Sequence, residues 1–264
     1  MEHKGKTIQS VQRAIDILNC IAGARRGLTL KEISARLDLN ENTVRGLAQT
    51  LQANGFLSKN PANAAYSLGY DLYVKGQMVY EAQLQQIIGA AYGELEAIAE
   101  QFNVSTCLQV SFHNSIYTVE TVEAPRSHYA YVPRTNMDLP LHASASGKLM
   151  LAYMPVEQRK KLLPGLELEA VTEHTITDPE AFAREMDGIC HRGYSMERGE
   201  LSDGFSCVAA PFFNPDGSLR GSLSAVAAST VLDPISGQVV LKLKQACSRM
   251  DAMLTRRRIR QSLG

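Results

Sequence analysis

The stretch that most limits what this chain can become is 29–57, TLKEISARLDLNENTVRGLAQTLQANGFL, where two short apolar-periodic segments meet at a sharp turn. Leu30, Ile33 and Leu37 share one face of the first segment. Val44, Leu47, Ala48 and Leu51 recur at i, i+3, i+4 and i+7 in the second. Asp38-Leu39-Asn40 joins them, and Asn40 can cap the helix that follows. Two short helices with so tight a join are helix-turn-helix geometry, whose second helix can lie in a DNA major groove. Gly55 then stops the helix. Two short strand patterns, Phe56–Lys59 and Ala65–Leu68, flank the turn cluster Asn60-Pro61-Ala62-Asn63 and form a wing.

The face of the second helix opposite its apolar set carries Asn42, Thr43, Arg45, Gly46 and Gln49. Asn, Gln and Arg can make bidentate contacts to base edges, and Thr reaches a base or a phosphate. These residues and Thr29 are the candidate DNA contacts, set against the alternative of a solvated helix face. Net charge over all 264 residues is zero, but its distribution is uneven. Residues 1–68 carry nine Lys/Arg against five Asp/Glu, a balance of +4, and residues 69–255 carry 14 against 22. A basic head on an acidic body fits a DNA-binding module joined to one that does not touch DNA.

The length suits one large or two ordinary domains. With 45% hydrophobic and 20% charged residues, the chain can bury real cores. The longest apolar runs fall far short of a membrane span, and the first residues lack a signal-peptide core. Five cysteines without paired spacing point to reduced thiols and a cytoplasmic protein.

Ahead of the motif, 8–24 places Ile8, Val11, Ile15, Leu18 and Ile21 on one stripe of an amphipathic helix, with Ser10 as its cap. Behind it, 69–83 (Leu72, Val74, Met78, Val79) predicts a linker helix that doubles as a dimer contact, and 84–101 a second long helix. The period then changes. Residues 105–112 and 115–123 alternate as half-buried strands, and 128–133 is a third candidate. Helix signals follow at 139–154, 155–163 and 178–192, the last opened by Asp178-Pro179. Strands are expected at 205–213 and 219–229 around the hairpin turn Asn214-Pro215-Asp216-Gly217, and a long helix from Pro234. The domains are therefore 1–68 (winged helix-turn-helix), 69–83 (linker helix) and 84–264, a mixed sheet flanked by helices.

These elements resemble the IclR family of bacterial transcriptional regulators over almost the whole chain. SVQRAIDIL is similar to that family's opening helix, LTLKEISARLDLNENTV to its helix-turn-helix, and 140–152 (PLHASASGKLMLA) and 193–211 (GYSMERGELSDGFSCVAAP) to its two effector-domain signatures. The resemblance implies an α+β protein. It would have an N-terminal winged helix-turn-helix, a linker helix and a C-terminal GAF-like effector domain. It would act as a homodimer or dimer of dimers on a double-stranded operator, without cofactor or metal. The family's reading helix usually has arginine where Gly46 stands. Glycine there costs roughly 1 kcal/mol of helix stability against alanine.

Residues 143–147, Ala-Ser-Ala-Ser-Gly, fall at a helix N-terminus, where orphan N–H groups and small side chains favour an anion such as a carboxylate. The resemblance carries effector contacts onto Ala145, Ser146, Glu197, Cys207 and Ser224, with Tyr131 and Leu139 as wall. Glu200 matches the family's signature glutamate, and we read it as a structural residue bonding backbone across the pocket rim. An apolar Val226, where the family is often polar, implies a less polar ligand, aromatic or larger than a glyoxylate-sized acid. Ser146 could equally cap its helix, Cys207 could be a buried small hydrophobe, and Glu197 could be an exposed strand residue. Enzyme motifs fail: Ser146-Gly147-Lys148 lacks the phosphate-loop glycine and Ser/Thr, and no His/Cys group has metal-ligand spacing. The competing class is a metabolite-sensing or catalytic domain whose winged helix contacts only protein.

Overall fold

A computed structural model describes residues 7–24, 26–112, 115–126 and 140–262, with side chains given except at 82, 83, 164 and 256–262. The strand candidate 128–133, Tyr131 and Leu139 lie outside the described residues. The chain divides into two compact units, Met1–Gln83 and Leu84–Gly264.

In the first unit, α1 (Gln9–Ala22), α2 (Leu30–Leu37) and α3 (Glu41–Ala53) surround a small core of Ile17, Ile21, Leu28, Ile33, Val44, Ala48, Leu57 and Tyr66. Thr29 opens α2 with a reciprocal cap. Its Oγ1 accepts from the Glu32 N–H at 3.3 Å, and the Glu32 carboxylate accepts from the Thr29 N–H at 2.7 Å. Asp38 turns the chain at φ +50, and the Asn40 side chain accepts from the Asn42 N–H at 2.9 Å, as the sequence predicts. The wing is β1 (Leu57–Lys59) paired antiparallel with β2 (Tyr66–Leu68). Leu28 bridges to Tyr66 as well, tying the wing to the motif. Then follow α4 (Tyr70–Val79) and a π-helical turn, Tyr80–Leu84.

Two expectations for α1 are corrected. Ile8, not Ser10, is the N-cap, and Ser10 lies inside the first turn. The predicted stripe also meets the core only toward its C-terminal end, where Ile21 is buried and Leu18 packs against the cluster. Ile17 and Ile21 are buried, whereas Ile8, Val11 and Ile15 are 66%, 54% and 45% exposed. Periodicity identifies an apolar face without saying which surface covers it.

The second unit is built on a five-stranded sheet in the order β4-β3-β7-β6-β5: β3 (Ser105–Phe112), β4 (Ser115–Val122), β5 (Ser195–Arg198), β6 (Phe205–Phe213) and β7 (Leu219–Ala228). Every described pairing is antiparallel, so the sheet is not mixed. Strand alternation gives it two unlike faces. Leu108, Val208, Ala210, Phe212, Leu223 and Ala225 pack against Ile88, Leu95 and Ile98 of α5 (Gln85–Phe102) and against a C-terminal helix, Ser236–Ser262. Before that helix come Ala145–Tyr153 (α6), Val156–Leu162 (α7), Pro179–Arg192 (α8) and the short Ser229–Leu232 (α9), which makes it α10. Asp178 caps α8, accepting from the Ala181 N–H at 2.8 Å. The opposite face of the sheet lies under α6 and α8, whose Leu149, Met150, Phe182, Met186 and Ile189 form a second core with Ala209.

Candidate effector cavity and nucleic-acid interface

The outward residues of α3 are Asn42, Arg45, Gly46 and Gln49, all exposed, with Thr43 half-buried beside them. The Arg45 guanidinium donates to the Glu41 carboxylate one turn earlier at 2.8 Å, so that pair must be traded before Arg45 can meet a phosphate. A side chain at Gly46 would meet nothing within 4 Å, so packing does not demand glycine there. Thr29 is half-buried and its hydroxyl donates to Glu32 at 2.8 Å within the cap.

In the second unit, Ala145, Ser146, Glu197, Cys207 and Ser224 line one cavity under the start of α6. The register explains the convergence. Glu197 pairs with Cys207 and Cys207 with Val226, giving one row across β5, β6 and β7. Cys107 pairs with Ser224 and Ser224 with Ala209 in the next row. Ser144 and Val226 line it too, as do Gln109, Cys107, Ile116, Thr118, Phe205, Leu201 and Ser202, these seven not singled out from sequence. Alternation in STCLQVSF does put Cys107 and Gln109 on one side of β3, but only cross-strand register brings them opposite Ser224. The cavity leaves about 40 Å³ for the centres of water-sized molecules, room for a few waters.

Ser144, not Ser146, caps α6, its Oγ accepting from the Gly147 N–H at 3.1 Å. The Lys148 N–H goes to the Ser144 carbonyl. Among the described residues no acceptor meets the N–H groups of Ala145 and Ser146, which leaves two donors at the positive end of the helix. The turn before the helix folds so close that a Cβ on Gly147 would strike the Leu141 backbone.

Glu197 is only 3% exposed. Burial pushes its carboxyl up to about 7, against the opposing pull of the Glu200 and Leu201 N–H groups that it accepts from, at 2.9 and 3.5 Å. It therefore ties the rim loop that follows β5. This corrects the expectation for Glu200, whose carboxylate bonds no backbone but accepts from the Lys148 ammonium at 2.6 Å. Lys148 is wholly buried and also donates to the Met196 carbonyl at 2.9 Å. Glu200, too, is pushed up by burial, with Lys148 pulling the other way. Thr172 and Thr175 hold the loop from outside through the Gly199 and Glu200 carbonyls, at 2.6 and 2.7 Å. Gly199 sits at φ +68 against the His174 ring, a place closed to other residues.

Burial raises the Cys107 thiol to about 11 and the Cys207 thiol well above its ordinary value, so both stay protonated at neutral pH and neither is a poised nucleophile. No group of His, Cys, Asp and Glu that could hold a metal occurs among the described residues. No described helix is long and apolar enough to cross a membrane.

A winged helix-turn-helix followed by a domain with a lined cavity defines a ligand-responsive DNA-binding protein, and the comparisons agree. Residues 81–252 match the family described as bacterial transcriptional regulator IclR C-terminal, and residues 10–61 match the IclR helix-turn-helix domain. The chain belongs to the IclR family of transcriptional regulators, which are not enzymes. It is 30% identical over 217 residues to the transcriptional regulator XynR of Escherichia coli, covering 82% of this chain and 85% of that one. An IclR-type regulator from Alicyclobacillus acidocaldarius has the same fold at a TM-score of 0.80, with 27% identity over 94% of this chain and 99% of that chain. A Microbacterium hydrocarbonoxydans homologue crystallised with 4-hydroxybenzoate superposes at a TM-score of 0.76, with 23% identity over 92% of this chain and 98% of that chain.

Proposed function

We propose that this regulator works in the cytoplasm as a homodimer whose reading helices, α3, enter successive major grooves of an operator. A small organic acid in the second-unit cavity shifts that binding. Residues 1–68 grip DNA, 69–83 link, and 84–264 sense. In this reading the free N–H groups of Ala145 and Ser146 and the hydroxyl of Ser224 take a carboxylate, and Glu197 and Cys207 border the rest of the ligand. The observation that carries it is the convergence of those five residues on one cavity beneath two unpaired N–H groups. The 4-hydroxybenzoate complex of a relative puts an aromatic acid beside the smaller acids as a candidate.

A second copy of the chain is the natural cover for the stripe Ile8, Val11 and Ile15 on α1 and for Tyr70, Tyr73, Val74 and Met78 on α4, all exposed in the first unit. The test uses the whole protein. Thermal unfolding with pyruvate, glyoxylate and 4-hydroxybenzoate should rise for at least one acid by mass action. Ser224→Ala should reduce that rise while leaving the unliganded transition near its place. The same acid should change the affinity of a gel-shifted upstream fragment, and that affinity should fall steeply with salt. Absence of a rise with every acid would remove the carboxylate assignment. Salt-indifferent, sequence-indifferent binding would remove the operator assignment.

A further inference from the structure

We propose that Gln109 selects the effector's hydrogen-bonding character, by committing the Ser224 hydroxyl to donate into the cavity and so favouring a ligand oxygen that carries no proton. This rests on the reading that the effector is an acid bound in this cavity, and it names a residue that decides which polar group enters.

Gln109 lies on β3 directly opposite Ser222 of β7, and Ser224 is the next residue of β7 on the same face. All three are buried. The amide spans the two serines. Ser222 Oγ donates to Gln109 Oε1 at 3.2 Å, and Gln109 Nε2 donates to Ser224 Oγ at 2.8 Å. A serine hydroxyl has one proton and two lone pairs. With an amide N–H on one lone pair, the Ser224 proton must point away from Gln109. On that side stand the thiols of Cys107, its cross-strand partner, and Cys207, which line the same cavity. Neutral sulfur is a weak acceptor. Ser224 is thus a buried donor facing a poor partner, and a carboxylate or keto oxygen reaching it makes the better bond. A ligand NH2 offered at the same spot brings donor against donor. At the far end of the chain the Ser222 hydroxyl donates to the amide oxygen, which favours this orientation of the amide. Ser222 itself is not part of the cavity lining.

The experiment compares isosteric pairs on the full-length protein by titration calorimetry: pyruvate against pyruvamide, and 4-hydroxybenzoate against 4-hydroxybenzamide. The wild type should favour the acid of the better-bound pair about tenfold or more, the scale of one hydrogen bond to a charged group. Gln109→Met removes the amide donor without adding a charge, frees the Ser224 hydroxyl to turn, and should lower the acid-to-amide ratio severalfold. Ser222→Ala frees the amide to turn over without touching the cavity wall, and should lower the ratio severalfold. Damage to packing alone would weaken acid and amide together and leave the ratio standing. An unchanged ratio in Ser222→Ala, with acids still bound, overturns the role of Gln109 while the carboxylate site survives. Failure of the wild type to bind any of the acids overturns both.

Discussion

Glu197 concentrates the chemistry of the cavity in one side chain. From sequence it could be an exposed strand residue. Its place at the start of the row Glu197–Cys207–Val226 buries it, and burial pushes its carboxyl up to about 7. A carboxyl raised in the folded state favours folding in its protonated form. Its contribution is fully present below the unfolded value, near 4.5, and is lost as pH rises through about 7. Thermal and urea unfolding of the wild type between pH 5 and 8 should therefore show stability falling with pH. Glu197 supplies up to about 1.4 kcal/mol per pH unit of that slope. Glu197→Gln should flatten the curve, with the similarly raised Glu200 left to supply the remaining slope. Equal slopes in the two proteins would show that Glu197 is ionised throughout. An acid bound beside Glu197 should likewise bind more weakly as pH passes 7, because two carboxylates then share one dry site.

Helix α6 is where local and long-range forces meet. Its start is written in neighbouring residues: Ser144 caps, and Gly147 lets the preceding turn fold close. Lys148 is another matter. In the sequence it reads as the end of a failed phosphate loop, yet it is wholly buried between the Met196 carbonyl and Glu200, with Glu185 3.7 Å away. Glu185 is itself gripped by Arg192 at 2.6 Å, so α6, α8 and the rim loop share one ionic network. Removing one partner of such a pair strands the other charge. Lys148→Met should cost about 3–5 kcal/mol in urea unfolding. The double variant Lys148→Met/Glu200→Leu should recover a large part of that loss, since an apolar pair of similar volume is often no worse than the ions. A double variant no better than the single one would place the energy in packing rather than charge.

On the scale of the whole molecule, Val11 and Ile15 of α1 are exposed among the described residues. The proposed homodimer should therefore sediment as a monomer, or as a dimer with sharply weakened association, once Val11→Glu and Ile15→Glu are introduced. Operator affinity should fall by far more than two surface charges explain, because two half-sites no longer bind as one unit. Unaltered sedimentation would move the association surface away from α1.

The helix-turn-helix, the wing, the capped starts of α3 and α8 and the strand runs were legible from residue order. The forces behind them act over three or four residues: a cap, a turn, a period. Side chains that matter through register were not legible. Gln109 meets Ser224 across 115 positions of chain and Lys148 meets Glu200 across 52, and no local pattern encodes either meeting. The same limit explains α1, whose apolar stripe was evident while its division into a buried Ile21 and exposed Val11 and Ile15 was not. Amphipathic period tells a helix to hide a face, and only packed neighbours decide which face is hidden and what is left for a second molecule.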